Sequence, residues 1–260
     1  KGLWISRGYQ GASYFNGKTW EHFTTHVKDV DTIVFDHSGT AWFNLVSFDG
    51  ENWEFHEQGP RYAYKTVVDH TGIIWMGSTE EGLYRYDGEN WIAYTIINSN
   101  LKSNHPVALC VDNDNALWIG YGDGRQGVSR FDGTTWTHYT PEDGLHSDRI
   151  LDITVSEDGH KWFGANEGIC EYDGNTWKNY TSFHPADHYA QDIEVDHNGY
   201  IWAAMQHGAA YYDGREWHGY NSENAVYAIS MPDWVAIDRD NVKWFITYRG
   251  VLRFQNEYPP

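Results

Sequence analysis

A tryptophan-centred phrase recurs along almost the whole chain, and it constrains the fold more than any other feature. In the copy from Trp75 to Tyr94, a glycine follows the tryptophan seven residues later, and an Asp-Gly pair and a second tryptophan come after it. The copies are spaced by about 40 residues, which is the period of four-stranded propeller blades. The first tryptophan of the phrase is Trp4, Trp42, Trp75, Trp118, Trp162, Trp202 or Trp244.

Each copy of the repeat reads as four short strands. An apolar stretch that ends in Asp, such as KTVVD or DIEVD, comes first, and a Gly-containing turn joins it to the tryptophan strand. A loop leads to the third strand, and an Asp-Gly or Asn-Gly pair predicts a tight hairpin into the fourth. The chain contains seven tryptophan strands and seven third strands, but only six innermost and six outermost strands.

These counts predict an all-β fold, a seven-bladed β-propeller of four-stranded antiparallel blades, as a single domain over residues 1–260. The first blade lacks its innermost strand and the last lacks its outermost strand. The expected blades cover approximately residues 1–25, 30–57, 62–95, 105–140, 149–181, 189–221 and 233–256.

Tryptophan is abundant, but its placement favours packing over recognition. Thirteen of the 14 tryptophans occupy the two repeat positions, so we expect them to lie between blades. Trp234 stands outside both positions, either in the core or stacked on a ligand. Cys110 and Cys170 fall in different blades, and we expect both to be buried and unpaired.

The formal net charge of −19 argues against nucleic-acid binding, which needs clustered Lys and Arg. The sequence has no apolar run of about 18 residues, so we expect no membrane insertion. An acidic surface also repels anionic membranes.

The repeat pattern DxxGxxWxGTxxGLxxYDGxxWxxY resembles the two-component regulator propeller repeat, and TPEDGLHSDRILDITVSEDGHKWFGANEGICEYDGNTWKNYT is especially similar to it. The resemblance implies a bacterial, periplasmic or secreted propeller of the sensor type, and it carries no catalytic motif. Such sensors usually carry a second propeller, a β-sandwich, a membrane helix and a kinase, and we expect none of these within residues 1–260. More distantly the chain resembles the virginiamycin B lyase family, whose catalytic motif has no residue-by-residue match here.

The longer, variable loops at one end of the blades are the expected recognition surface. Arg7 and Tyr121 put large polar groups at a repeat position that is small in three other blades, and several loops there carry His or Arg. We expect the ligand at the channel mouth, and we assign no catalytic residue. The predicted ligand-binding residues are Arg7, Tyr9, His26, Arg61, His105, Tyr121, Arg125, His146, His188, His207, Trp234 and Arg249.

The function favoured by these observations is ligand binding or sensing, for a carbohydrate or a small anionic ligand. One alternative is a carbohydrate-active lyase that acts on a uronate-containing glycan or a lactone with the His, Tyr and Arg side chains of the same face. The other is a protein-interaction scaffold, whose partner is another protein. We expect no cofactor; a divalent metal held by histidines at the channel mouth is the alternative.

Overall fold

A computed structural model gives the structure of the chain, and it describes residues 2–6, 8–28, 30–181, 189–221, 232–247 and 250–254, except for the side chain of Asn221. These residues form 26 strands and one short 3-10 helix at Pro141–Asp143. Contacts divide the chain into two compact units, residues 1–111 and 112–260, and each is described by itself.

The first unit contains three complete sheets and the first strand of a fourth. Blade 1 has three strands, whereas blades 2 and 3 have four each. In chain order the strands are β1 (Leu3–Ser6), β2 (Ala12–Phe15), β3 (Trp20–Phe23), β4 (Ile33–Phe35), β5 (Ala41–Phe43), β6 (Val46–Phe48), β7 (Trp53–Phe55), β8 (Ala63–Val68), β9 (Ile74–Ser78), β10 (Leu83–Tyr86), β11 (Trp91–Tyr94) and β12 (Pro106–Val111).

The second unit contains the rest of blade 4, the four-stranded blades 5 and 6, and the three-stranded blade 7. Its strands are β13 (Leu117–Tyr121), β14 (Val128–Phe131), β15 (Trp136–Tyr139), β16 (Ile150–Val155), β17 (Lys161–Ala165), β18 (Gly168–Tyr172), β19 (Trp177–Tyr180), β20 (Ala190–Val195), β21 (Ile201–Met205), β22 (Gly208–Tyr212), β23 (Trp217–Asn221), β24 (Pro232–Ile237), β25 (Lys243–Thr247) and β26 (Gly250–Phe254).

The fold is a seven-bladed β-propeller of antiparallel blades, as the sequence predicts. The described residues include six innermost and six outermost strands, because blade 1 begins at its tryptophan strand and blade 7 ends at its third strand. Neither Cys110 nor Cys170 forms a disulfide bond, as expected; Cys170 is buried, whereas Cys110 is only half-buried, contrary to the expectation. Burial raises the pKa of the Cys170 thiol to about 11.

After five of the six innermost strands, the next residue is an aspartate that holds the first tryptophan of the blade. In blade 6, Asp196 Oδ1 accepts hydrogen bonds from the turn, while Asp196 Oδ2 accepts one from Trp202 Nε1 at 3.1 Å. The same indole bond occurs in blades 2, 3, 4 and 7, at 2.8 to 3.1 Å. Blade 5 is the exception, because Ser156 replaces the aspartate and Trp162 Nε1 is buried without a partner among the described residues.

A second regular feature is the residue that lies across from the first tryptophan in the third strand. Directly paired residues of antiparallel strands point to the same face, so this side chain lies beside the indole ring. It is long in six of the seven blades. From blade 1 to blade 7 the residue is Tyr14, Ser47, Arg85, Arg130, Glu171, Tyr211 and Arg253.

Carboxylates also connect neighbouring innermost strands within the second unit. Asp152 Oδ2 accepts a hydrogen bond from the main-chain N–H of Ile193 at 3.2 Å, and Asp192 Oδ2 accepts one from Val235 at 2.8 Å. Both aspartates are buried and lie where the pairing of their strands shifts register. These contacts give the two carboxylates a structural role between blades.

Candidate functional site

Three of the predicted ligand-binding residues, Arg7, His188 and Arg249, lie outside the described residues. Most of the others lie on the surface of the long loops. Tyr9 is 90% exposed and Trp234 is 48% exposed, so Trp234 is not a core residue. His105 is half-buried, and the remaining exposed ones are His26, Arg61, Arg125, His146 and His207.

The exposed candidates make local contacts with residues outside the predicted set. The His26 ring stacks on Trp53, with the ring centroids 5.2 Å apart. His146 Nε2 lies 3.8 Å from Glu167 Oε2. These contacts hold individual loops in place, and neither of them assembles the predicted residues into one site.

Tyr121 is placed differently from the expectation. Its side chain is fully buried, and its hydroxyl group lies 2.7 Å from Ser129 Oγ. Ser129 Oγ is in turn 2.8 Å from His138 Nδ1. A ligand on the surface does not reach Tyr121 in this structure, so its large side chain is explained by packing within blade 4.

A cavity of about 290 Å³ lies between blades 2 and 3. The short turns of these two blades line it, at the end of the strands opposite the long loops. One part of its wall is aromatic, with Trp42, His56 and Tyr86. The Trp42 and His56 rings stack at 4.5 Å, and the Trp42 and Tyr86 centroids are 5.6 Å apart. The other part carries four carboxyl groups, those of Asp36, Asp49, Glu54 and Asp87.

The cavity exists because blade 2 has a small residue where the other blades have a long one. Ser47 pairs with Trp42, and its hydroxyl group lies 2.9 Å from His56 Nε2 instead of covering the indole ring. The next blade adds only the side chain of Ile74 from its tryptophan strand. Trp42 therefore lines an open space, although only 4% of its own surface is exposed to solvent.

Hydrogen bonds keep three of the cavity's carboxyl groups acidic. Burial opposes the charge of Asp36, but bonds from Ser38, Trp42 and Thr40 outweigh it and lower the pKa. Hydrogen bonds from main-chain N–H groups of the hairpin turn, above all that of Asn52, lower the pKa of Asp49. In the next blade, the main-chain N–H of Asn90 is the main cause that lowers the pKa of Asp87 to about 2. At neutral pH these groups are ionised.

The imidazole of His56 does not offset this negative charge. Burial lowers its pKa, and the nearby carboxylate of Glu54 opposes the shift only partly. His56 is therefore neutral at pH 7 and acts as an aromatic wall with hydrogen-bonding nitrogen atoms. The cavity combines an aromatic surface with net negative charge.

Sequence reasoning missed this cavity because it looked for added polar groups in long loops. The usable signal was a loss of size: in an alignment of the third strands, Ser47 is the one short side chain across from a repeat tryptophan. Within the part of the chain that the structure describes, no group of three or more His, Cys, Asp or Glu residues is placed to hold a metal ion. The same residues include no helix with the length and hydropathy of a bilayer-spanning segment.

Comparisons with known proteins identify neighbours through structure alone. No protein-family description matches the sequence, and no curated protein matches it. The extracellular domain assigned to a hybrid two-component system of B. thetaiotaomicron superposes with a TM-score of 0.84 at 21% identity, over 98% of this chain and 38% of that one. This chain thus spans well under half of that extracellular domain.

Two further neighbours are close to this chain in length. A catalytically inactive virginiamycin B lyase from Staphylococcus aureus, solved with quinupristin, has a TM-score of 0.78 at 15% identity and covers 97% of this chain and 90% of its own. YCF48 bound to a D1 peptide has a TM-score of 0.71 at 14% identity, over 100% and 90%. Both families that the sequence resembles are represented among the neighbours, and at these identities the likeness establishes that the chain shares their propeller fold.

Proposed function

We propose that this chain is an extracytoplasmic, non-enzymatic ligand-binding propeller of the sensor type, and that it binds its ligand in the cavity between blades 2 and 3. The cavity itself carries the proposal. It is preformed, has an aromatic wall and convergent polar groups, and lies near the lower end of the size range of small-molecule pockets, roughly 300–1,000 Å³.

The sensor role and the location outside the cytoplasm are supported by the repeat and by the structural neighbours. The extracellular domain of the hybrid two-component system has the highest TM-score of the three neighbours described. A propeller of this kind couples binding to signalling through other parts of a longer protein, so recognition is the task that remains for the propeller.

The chemistry of the cavity favours binding over catalysis. General acid–base work at neutral pH needs a group with a pKa near 7. Here the pKa values of Asp36, Asp49 and Asp87 are lowered, that of the Tyr86 hydroxyl group is raised by burial, and that of His56 is lowered. These carboxylates suit attraction of a ligand better than proton transfer.

A lyase is the second candidate, because the virginiamycin B lyase neighbour matches this chain over nearly its full length. In that case the reaction would belong to the His, Tyr and Arg side chains of the long loops. The two functions therefore predict different sites: the short-turn cavity for binding, and the opposite ends of the strands for a lyase.

The test is a thermal-shift screen of the full chain against neutral sugars, uronic acids, short peptides and amines. We expect at least one class to raise the melting temperature of the wild-type protein but not that of Ser47→Arg, whose side chain would fill the cavity. NMR spectra of the hit after prolonged incubation should show no product. A hit that Ser47→Arg binds equally well, or that is converted to product, would contradict the proposal.

A further inference from the structure

We infer that the cavity between blades 2 and 3 is a site for a small alkyl diamine, one of whose ammonium groups binds against Asp36 and Trp42. This inference rests on the proposed function, because it names the ligand class of the same cavity. The argument comes from other blades of the same chain, which hold their own ammonium groups at the corresponding place.

Blade 6 supplies the clearest internal example. Lys243 Nζ lies 2.7 Å from Asp196 Oδ2, the oxygen that also accepts the hydrogen bond from Trp202 Nε1. The same ammonium donates to the main-chain oxygen of Asn241 at 2.9 Å, and it lies 5.2 Å from the centroid of the Trp202 ring. A carboxylate, a carbonyl and an aromatic ring thus surround a cation that is almost fully buried.

Blade 4 repeats the arrangement with two cations. Lys161 Nζ lies 3.9 Å from Asp112 Oδ2 and 5.7 Å from the centroid of Trp118. Arg130 Nε, from the residue across from Trp118, lies 3.6 Å from the same oxygen. The carboxylate–indole pair of a blade is therefore a place that this fold fills with positive charge.

Blade 2 keeps the receiving groups of this arrangement. Asp36 Oδ2 accepts the indole bond from Trp42 at 3.0 Å. Gly72 lines the cavity at the position of Asn241, three residues before the next blade's tryptophan, and both residues have positive φ, 89° and 61°. The turn that presents a carbonyl oxygen to Lys243 in blade 6 thus has the same conformation beside the cavity.

Blade 2 has lost the groups that would supply the cation. Ile74 of blade 3 directly precedes Trp75, at the position that Lys161 has in blade 5 and Lys243 has in blade 7. Ser47 takes the position in blade 2 that Arg130 has in blade 4. Both Ile74 and Ser47 line the cavity. The open volume therefore corresponds to the space that cationic side chains occupy elsewhere in the chain, and an ammonium group from outside can take it.

The charge of the cavity selects for a cation and favours two positive groups over one. Three further carboxyl groups, those of Asp49, Glu54 and Asp87, lie around the pocket, and none of its lining residues is Lys or Arg. One ammonium group binds against Asp36 and Trp42, and a short alkyl chain places the second near these carboxyl groups. Anions are repelled by the same charges, and a neutral ligand leaves them uncompensated.

The test uses 1,5-diaminopentane as the probe and 1,5-pentanediol as a control of equal length without charge. We expect calorimetry on the wild-type chain at low salt to show 1:1 binding of the diamine and none of the diol. Ile74→Lys and Ser47→Arg, which restore the chain's own cation, should each weaken diamine binding at least tenfold. Ile97→Lys is the matched control, because it adds the same charge at a residue that is 90% exposed and outside the cavity.

Circular dichroism and thermal melts establish which variants are folded, and either filled-cavity variant is sufficient for the comparison. Absence of diamine binding to the wild type overturns the inference, as does equal binding to a folded Ile74→Lys or Ser47→Arg variant. If a sugar or peptide binds in the cavity and the diamine does not, the diamine inference fails and the proposed function stands. If no member of the screen binds in the cavity, both fail.

Discussion

Ser47 lies directly across from Trp42 in the β5–β6 pair, whereas a long side chain lies across from the corresponding tryptophan in each of the other six blades. The pocket of this propeller therefore arises from a missing side chain within a regular blade. Blade 2 retains the hydrogen bond from Trp42 to Asp36. Its tryptophan is therefore held as in the other blades, while the space beside the indole ring is left open. The regularity of the other blades also makes several consequences measurable.

The unpartnered indole of blade 5 should be repairable. Ser156→Asp places a carboxylate at the position from which an aspartate accepts the indole bond in five other blades. The new aspartate would have Asp158 two residues later, and blades 4 and 7 already have a pair of aspartates with this spacing. Since a buried unsatisfied donor costs about 1–3 kcal/mol, we expect the variant to gain about 1 kcal/mol of unfolding free energy in urea.

The reciprocal variant Asp69→Ser is the control, and it should lose a similar amount because it removes the acceptor of Trp75. A loss of stability in Ser156→Asp would mean that repulsion from Glu171, which pairs with Trp162, outweighs the new hydrogen bond.

Tyr121 should behave as a packing residue. Tyr121→Phe removes the hydroxyl group that bonds to the buried Ser129 and preserves the ring, so we expect a loss of about 1 kcal/mol in urea unfolding. Ligand binding in the cavity of blades 2 and 3 should be unchanged in the same variant. If Tyr121→Phe abolished ligand binding at unchanged stability, Tyr121 would belong to the binding site after all.

Asp192 should contribute to stability through the neighbouring blade. Asp192→Ala leaves the main-chain N–H of Val235 without its carboxylate partner, and we expect a cost of about 2 kcal/mol in unfolding free energy. Asp152→Ala, which removes the equivalent acceptor of Ile193, should cost a comparable amount. Equal stability of wild type and both variants would show that water replaces these carboxylates.

The hairpin aspartates predict how stability changes in acid. Main-chain N–H groups lead in lowering the pKa of Asp87, Asp173 and Asp213 to about 2, against roughly 3.9 for an unfolded aspartate. Because the folded pKa is lower, the unfolded chain binds protons first as the pH falls. Their stabilising contribution is complete above about pH 5 and is lost as the pH falls through about 2.

Urea unfolding between pH 7 and pH 2 measures this loss. Asp→Asn at the three positions should flatten the acid part of the profile, since Asn16 of blade 1 already makes the same turn with N–H bonds from Lys18 and Thr19. An unchanged slope in the triple variant would place the acid sensitivity in other carboxyl groups.

Most of the fold is predictable from the sequence because each blade repeats the same local instructions. The Asp-Gly and Asn-Gly pairs fix tight hairpins, and the spacing from Asp69 to Trp75 recurs wherever the indole bond forms. Seven imperfect copies reinforce one another, so a departure such as Ser156 does not obscure the blade. The three strands that the structure describes in each of blades 1 and 7 agree with the same count.

The cavity was harder to predict because it depends on strand register. Sequence spacing alone shows that Ser47 is small, but only the pairing of β5 with β6 shows that it lies beside Trp42. Tyr121 illustrates the opposite error: a large residue at a usually small position fills space beside Ser129 rather than facing solvent. Substitutions in a repeat become interpretable once their cross-strand neighbours are known.

Each blade has one residue across from its first tryptophan, and the length of that side chain decides whether the space beside the indole ring is filled. Arg85 and Arg253 occupy this position in blades 3 and 7, so we expect that shortening either residue would open space beside the tryptophan of its blade. Pockets could then be opened or closed independently around the propeller, while the hairpins and the aspartate–tryptophan bonds stay as they are. Among the described residues, blade 2 has the short side chain at this position, and the repeat therefore lets one substitution change the space inside a single blade.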